Sequence, residues 1–255
     1  TLVSDIRLAL RRLRLAPAFT LATTVTLALG IGATTAIFTL AHAVLMKSLP
    51  VAKPEQLYRV GKEARCCFLG GWSRKDEWSL VSYDLYTHFR DHTKGFAELA
   101  AFSASLSSFA VRRGGNTAPA ASYPSEYVTG NYFSMFGVQP FAGRTLAPRD
   151  DEKGAAPVAM MSYRLWQEKY GRDASVVGST FNFNNKPYTI VGITPPGFYG
   201  DQLRNPPPDF FLPMHAAPYI AAPTQSWLDV IGRARPGVGE AALQAEMQAG
   251  LKQWL

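Results

Sequence analysis

The sequence predicts an α+β fold: one membrane-crossing helix near the N-terminus, then a mixed domain whose strands and helices follow no regular βαβ rhythm. Residues 15–46 hold no Asp, Glu, Lys or Arg. Beyond residue 50, short β-rich runs are interspersed with helical ones. No internal repeat orders them. A chain of 255 residues has room for an anchor plus one large or two small domains.

The uncharged run is longer than the roughly 20 apolar residues that cross the hydrocarbon. As a helix from Phe19 to Met46 it would reach about 42 Å, at about 1.5 Å per residue. Its threonines can return their hydroxyls to the helix's own carbonyls. Ala28, Gly32 and Ala36 recur every four residues, a small-residue stripe that would let another membrane helix approach. Ahead of it, Ile6, Leu10 and Leu13 share one face while Arg7, Arg11, Arg12 and Arg14 supply the other. That pattern predicts an N-terminal interfacial helix over 1–16 that turns at Pro17 into the membrane. Positive charge concentrated before the span predicts a cytoplasmic N-terminus, since the other flank offers only Lys47 and Lys53 as nearby basic residues. The soluble part then lies outside, in the periplasm of a bacterium with two membranes. A cleavable signal at Ala41-His42-Ala43 fits less well, because the apolar stretch exceeds the usual 7 to 15 residues.

The chain carries 26 basic and 19 acidic residues, a net +7. Residues 1–14 supply +3 of it, from four arginines against Asp5. Such a leader suits anionic lipid headgroups. Nucleic acid is not an expected partner, since no basic stripe with stacking aromatics follows.

After Pro50 and Pro54, LYRV at 57–60 reads as a strand and SLVSYDLYTHFRDH at 79–92 as a helix. Residues 106–113 and 118–128 read as extended. SYRLWQEKYG at 162–171 has a capping serine and a terminal glycine. TFNFNNKPYTIVGI predicts a hairpin turning near Asn184, Asn185 and Lys186. Residues 195–223 read as a Pro- and aromatic-rich loop, WLDVIGRA as a strand, and 240–255 as an amphipathic helix.

Candidate chemistry is thin. Asp84, His88 and His92 stand at i, i+4 and i+8, a metal-like spacing without a clear fourth ligand, and an ordinary polar helix face explains it as well. Gly30-Ile-Gly32 opens like a dinucleotide fingerprint but lacks the third glycine and the preceding strand. No G-x-x-x-x-G-K-[ST] occurs, so this chain has no Walker A site. Ser162, Tyr163 and Lys169 lie close in sequence, yet no G-x-S-x-G elbow exists and Ser162 suits a helix cap. His215 has no acidic neighbour in sequence. Adjacent Cys66 and Cys67 cannot bridge distant loops. Trp78, Trp166, Trp227 and Trp254 are scattered, as core residues are. The reading is therefore no enzyme: no catalytic, cofactor-binding or metal residue is assigned.

Four stretches in order carry a family resemblance: 5–50 (DIRLALRRLRLAPAFTLATTVTLALGIGATTAIFTLAHAVLMKSLP), 127–146 (YVTGNYFSMFGVQPFAGRTL), 157–200 (PVAMMSYRLWQEKYGRDASVVGSTFNFNNKPYTIVGITPPGFYG) and 227–247 (WLDVIGRARPGVGEAALQAEM). Together they resemble the MacB/FtsX-like permeases of ABC transport systems, and among them the orphan permeases often found in acidobacteria. The resemblance implies a cytoplasmic interfacial helix at 1–16, a transmembrane helix with periplasmic extension at 17–49, and a MacB-like periplasmic core domain at 50–255 whose C-terminal part and later membrane helices lie beyond the chain. It further implies an inner-membrane location and an ABC ATPase in the cytoplasm, with ATP and magnesium bound there and not here. Other permease copies or membrane helices and a periplasmic partner are implied too, for a role in mechanotransmission during substrate handling or export. An anchored interaction or regulatory module without transport is the other function it implies. Gly130–Gly137 and the Gly143-Arg144 pair are its structural signatures; the CCFLGGW insert at 66–72 matches none of the four stretches.

Overall fold

The computed structural model describes residues 7, 8, 11, 13–45, 51–61, 80–115, 117, 119–202, 204–222 and 225–255. The chain divides into two units, Thr1–Leu49 and Pro50–Leu255.

In the first unit, helix α1 spans Pro17–Leu45. Proline suits its first position, where an N–H would have no partner in any case. Pro17–Thr39 is the one helix among the described residues long and apolar enough to cross a membrane. The hydroxyls of Thr20, Thr23, Thr26 and Thr34 donate to the carbonyls of Ala16, Phe19, Ala22 and Gly30 at 2.7–3.0 Å, so each polar group is satisfied inside the helix. Ala28, Gly32 and Ala36 are exposed, and a Cβ added at Gly30 or Gly32 would meet nothing within 4 Å. Residues 7, 8, 11 and 13–15 are helical, with Arg7, Arg11 and Arg14 exposed; Ile6, Leu10 and Arg12 lie outside the described residues.

Among the described residues the second unit is built on eleven strands: β1 (Leu57–Val60), β2 (Val81–Ser82), β3 (Phe96–Ser103), β4 (Ser107–Arg113), β5 (Ala121–Val128), β6 (Ala142–Gly143), β7 (Val158–Met161), β8 (Thr180–Phe183), β9 (Lys186–Ile193), β10 (Phe210–Pro213) and β11 (Ser226–Ala234). Six of them close a ring in the order β5, β10, β7, β9, β8, β4 and back to β5. The β10–β5 and β7–β9 pairs are parallel and the other four antiparallel. A three-stranded wing, β1–β11–β3, joins the ring through one register pair, Phe102 with Val128.

Side chains of the central strands alternate between two cores. Tyr127, Ala159, Met161, Phe210 and Leu212 enter the larger one, which includes the barrel aromatics Phe181 and Phe183. Their neighbours Val128, Met160 and Phe211 enter the other, under helix α3 (Tyr132–Phe136). There Tyr132, Phe133, Phe198 and Phe211 meet at ring-centroid distances of 5.1–6.5 Å, half of the pairs edge to face and half tilted.

Helices close the unit. Helix α2 (Tyr83–His92) starts later than the sequence pattern implies, because Ser82 Oγ accepts from Leu85 N as its cap while Val81 and Ser82 pair with β11. Helix α4 (Tyr163–Tyr170) is capped by Ser162 Oγ, which accepts from Leu165 N, and stops at Gly171 in the left-handed region. Helix α5 (Glu240–Trp254) turns Leu243, Met247, Leu251 and Trp254 toward the core, and its Glu246 carboxylate accepts from the Lys94 and Gly95 amides. The β8–β9 hairpin turns on Asn184 and Asn185, both at positive φ, as the type I′ geometry requires. The stretch read as one loop, 195–223, instead contains β10 and two 3₁₀ turns, Met214–Ala216 and Pro218–Ala221.

Candidate functional site

The residues singled out by spacing are already engaged. Asp84 Oδ2 accepts from Trp254 Nε1 at 3.1 Å, tying α2 to α5. His88 Nε2 donates to the Gly250 carbonyl at 3.1 Å, and His92 Nδ1 to the His88 carbonyl at 2.9 Å, with the two rings stacked at 4.4 Å. Asp91 pairs with Arg90 beside them. One helix face thus carries three groups that do not converge on a point, and no cluster of three or more metal-ligating side chains occurs among the described residues. Tyr163 packs on Phe141 and Trp166, leaving Ser162 to its cap. Trp166 Nε1 donates to the Asp173 carbonyl. Cys66, Cys67, the 66–72 insert and Trp78 lie outside the described residues.

A cleft of about 630 Å³ opens where α2, the start of β3, the loop after β5, the 148–153 turn and His215 meet. The acidic partner that sequence could not supply for His215 is Asp151, 64 residues away. One Asp151 oxygen accepts from the His215 amide at 2.7 Å and the other from the Gly130 amide at 3.2 Å. His215 Nδ1 stands 3.4 Å from the same carboxylate, and the Tyr83 ring meets the imidazole edge-on at 5.6 Å. Burial raises the Asp151 carboxyl above its ordinary value, and the donors around it counter only part of that. Burial, and then the Asp151 charge, also push the Tyr83 phenol up.

The pair resembles half of a catalytic constellation, yet its carboxylate is occupied by backbone donors. The Thr129 hydroxyl in the cleft wall accepts from Ala101 N and donates to Asn131 Oδ1. The arrangement can hold three chain segments in register. Asp151→Asn, which turns one acceptor into a donor facing an N–H, should lower the unfolding free energy by about 1–3 kcal/mol. Denaturant unfolding of the parent and variant chains checks it.

A second set of charges is buried at the foot of the loop after β9. Glu126 of β5 and Asp201 are both almost completely buried, with Arg204 between them. The guanidinium lies 3.1 Å from Glu126 Oε1 and 3.8 Å from Asp201 Oδ2, and donates to the Ser103 and Ala104 carbonyls. Tyr132 donates to Asp201 at 3.1 Å. Gln202 reaches Asp229 on β11, which also pairs with Arg59 of β1. Burial, then the nearby Asp201 charge, drive the Glu126 carboxyl well above the usual range, with Arg204 opposing. Burial likewise raises Asp201. The sequence signal for this set was only a Gly-Asp-Gln between prolines and one Glu in a strand.

The glycines of the family-like segments have steric explanations. A Cβ on Gly130 would lie 2.5 Å from the Ala147 carbonyl oxygen. Gly137 ends α3 at φ 70° against Ala52. Gly143 faces Gly192 across β6–β9. Its neighbour Arg144 grips Asp150 with both terminal nitrogens; burial pushes that carboxyl up, but the Arg144 hydrogen bonds and charge, the Ala147 amide and the Arg149 charge together hold it below its usual range.

No curated protein matched the sequence. Three solved structures share the fold at low identity. A domain described as a permease protein from Porphyromonas gingivalis has a TM-score of 0.56 at 17% identity, covering 80% of this chain and 83% of that one. The periplasmic region of MacB from Actinobacillus actinomycetemcomitans has 0.56 at 13%, covering 83% and 89%. The extracellular domain of the noncanonic ABC-type transporter YknZ from Gram-positive bacteria has 0.50 at 12%, covering 68% and 83%. The model of the MacB-like periplasmic core domain matches residues 20–249, running from within α1 almost to the end of α5. The chain therefore belongs to the MacB-like periplasmic core domain family, as a permease-type chain with one apolar helix ahead of a mixed α+β domain.

Proposed function

We propose that this chain is the mechanotransmitting permease subunit of an ABC-type system, of the orphan-permease kind, with 1–16 and the arginine leader in the cytoplasm, 17–49 in the inner membrane and 50–255 in the periplasm. The observation that supports it most is the family match over residues 20–249, which takes in both apolar helix and folded domain. A cytoplasmic ATPase, carrying ATP and magnesium, would supply the work, because the sequence contains no Walker A motif. Arg7, Arg11 and Arg14 are exposed for lipid headgroups or for that ATPase. The exposed Ala28, Gly32 and Ala36 stripe suits a further permease helix. The outer domain contributes movement and substrate handling, with its two cores and buried ion pairs keeping it rigid while it moves.

Affinity purification from the native membrane, followed by mass spectrometry and an ATPase assay, tests the proposal. Recovery of a cytoplasmic ABC ATPase whose hydrolysis changes when the outer domain is deleted is the expected result. A stable preparation that repeatedly lacks any such ATPase would overturn it and leave an anchored interaction module in its place.

A further inference from the structure

Where the wing leaves the ring, a second cavity of about 270 Å³ sits between the β3–β4 connection, β5, the Pro218–Ala221 turn and β11. Its lining is chemically uniform in one respect: among the described residues, none in it is charged. Three aromatic rings stand in its walls. Tyr219 and Trp227 lie 5.4 Å apart at 49°, and Tyr127 meets Trp227 edge to face at 6.4 Å. Between them come short neutral polar groups, Ser105, Ser107 and Gln225. Trp227 is more than nine-tenths buried, yet its Nε1 donates to no acceptor among the described residues. An orphaned buried indole N–H is uncommon enough to require a reason.

The frame around the cavity is fixed. Ser103 Oγ accepts from Tyr127 N, and Ala104 N donates to the Trp227 carbonyl. The part-buried Arg204 guanidinium donates to the Ser103 and Ala104 carbonyls. Tyr219, by contrast, is exposed while lining the same cavity.

Aromatic faces suit the C–H faces of a ring, while hydroxyls, an amide and an indole N–H suit hydroxyl groups. The absence of any charge disfavours ions, amines and phosphates, which would be desolvated without a partner. The volume falls just below the usual range of about 300–1,000 Å³ for ligand sites, which leaves room for a single ring and not for a peptide. We propose that this cavity binds a neutral polyhydroxylated ring, the terminal unit of a saccharide, with Tyr219 and Trp227 as stacking surfaces and Trp227 Nε1 as a donor reached when Tyr219 swings aside. This goes beyond the permease reading and stands independently of ATPase coupling.

The test uses the whole chain in lipid nanodiscs, with N-acetylglucosamine and maltose as neutral probes and glucosamine 6-phosphate as the charged one. Saturation-transfer NMR and titration calorimetry should show saturable binding of at least one neutral sugar and none of the phosphate. Tyr219→Ala, a change at an exposed turn, should weaken it about tenfold. Trp227→Phe, which keeps the ring and removes the N–H, should weaken it about fivefold. Lys186→Ala in the hairpin turn should leave it unchanged. Absence of saturable sugar binding at millimolar concentration in the folded parent overturns the proposal, as does sugar binding that Tyr219→Ala leaves intact, or equal binding of the phosphate.

Discussion

Arg204→Ala is expected to destabilise the outer domain by about 3–5 kcal/mol, since removing one member of a buried ion pair strands the other. Asp201 would keep Tyr132 and the Glu126 carboxyl as neighbours but lose the nearby positive charge, and the Ser103 and Ala104 carbonyls would lose the Arg204 donors. Glu126→Gln should behave in the opposite way. With its carboxyl raised by burial and by Asp201, the folded domain holds a proton that the unfolded chain releases at an ordinary value of about 4.3. Below that pH both states are protonated and the contribution to stability is full. As pH rises from there through the raised folded value, the unfolded state gains and stability is lost. Glutamine abolishes the titration, so its unfolding midpoint should fall less steeply with rising pH than the parent's. Denaturant unfolding of the three proteins across pH 5–8 provides the comparison. A parent and Glu126→Gln variant with parallel pH profiles would show that Glu126 keeps an ordinary affinity for its proton.

Gly143→Ala should cost about 2–5 kcal/mol, combining a left-handed backbone with forced overpacking. Gly143 has φ 72°, and a Cβ there would stand 2.3 Å from the Val191 carbonyl oxygen and 2.9 Å from Gly192 Cα. These are backbone atoms inside the β6–β9 pairing and cannot rotate away. Gly171→Ala isolates the backbone contribution. Its φ is 56°, but a Cβ would meet nothing within 4 Å, so about 1–2 kcal/mol is expected. Equal losses for the two variants in the same unfolding experiment would mean that the β6–β9 ladder yields to the added methyl.

Elements with one solvated face were legible in the sequence. β1, β4, α4, the Asn184-Asn185 hairpin and α5 all carry local signals: alternation, a serine cap, a terminal glycine or a helical apolar stripe. Strands β7 and β10 were not, because VAMM and FFLP are buried on both faces and show no alternation to read. Helix α3 is too short to display a period. Among the site groups, Ser162 could be placed from its neighbours, whereas Asp151 with His215 and Glu126 with Asp201 come together only through tertiary pairing. The Asp84, His88 and His92 spacing was real on the helix, but Trp254 and the Gly250 carbonyl, from a segment some 160 residues on, had claims on it that spacing does not reveal. The Gly130, Gly137 and Gly143 positions became intelligible once the opposing carbonyls and Ala52 could be seen.

Ring closure alters how the domain can come apart. An open sheet frays from its outermost strand, which is held on one side only. In the six-strand ring each member is held on both, so detaching any one requires two ladders to break together. A load applied to such a ring has no weakest margin at which to start a tear. Amide protons of β4, β5, β7, β8, β9 and β10 should accordingly exchange with solvent as one group, in a shared opening event, while those of the wing, attached by a single register pair, escape on their own earlier schedule.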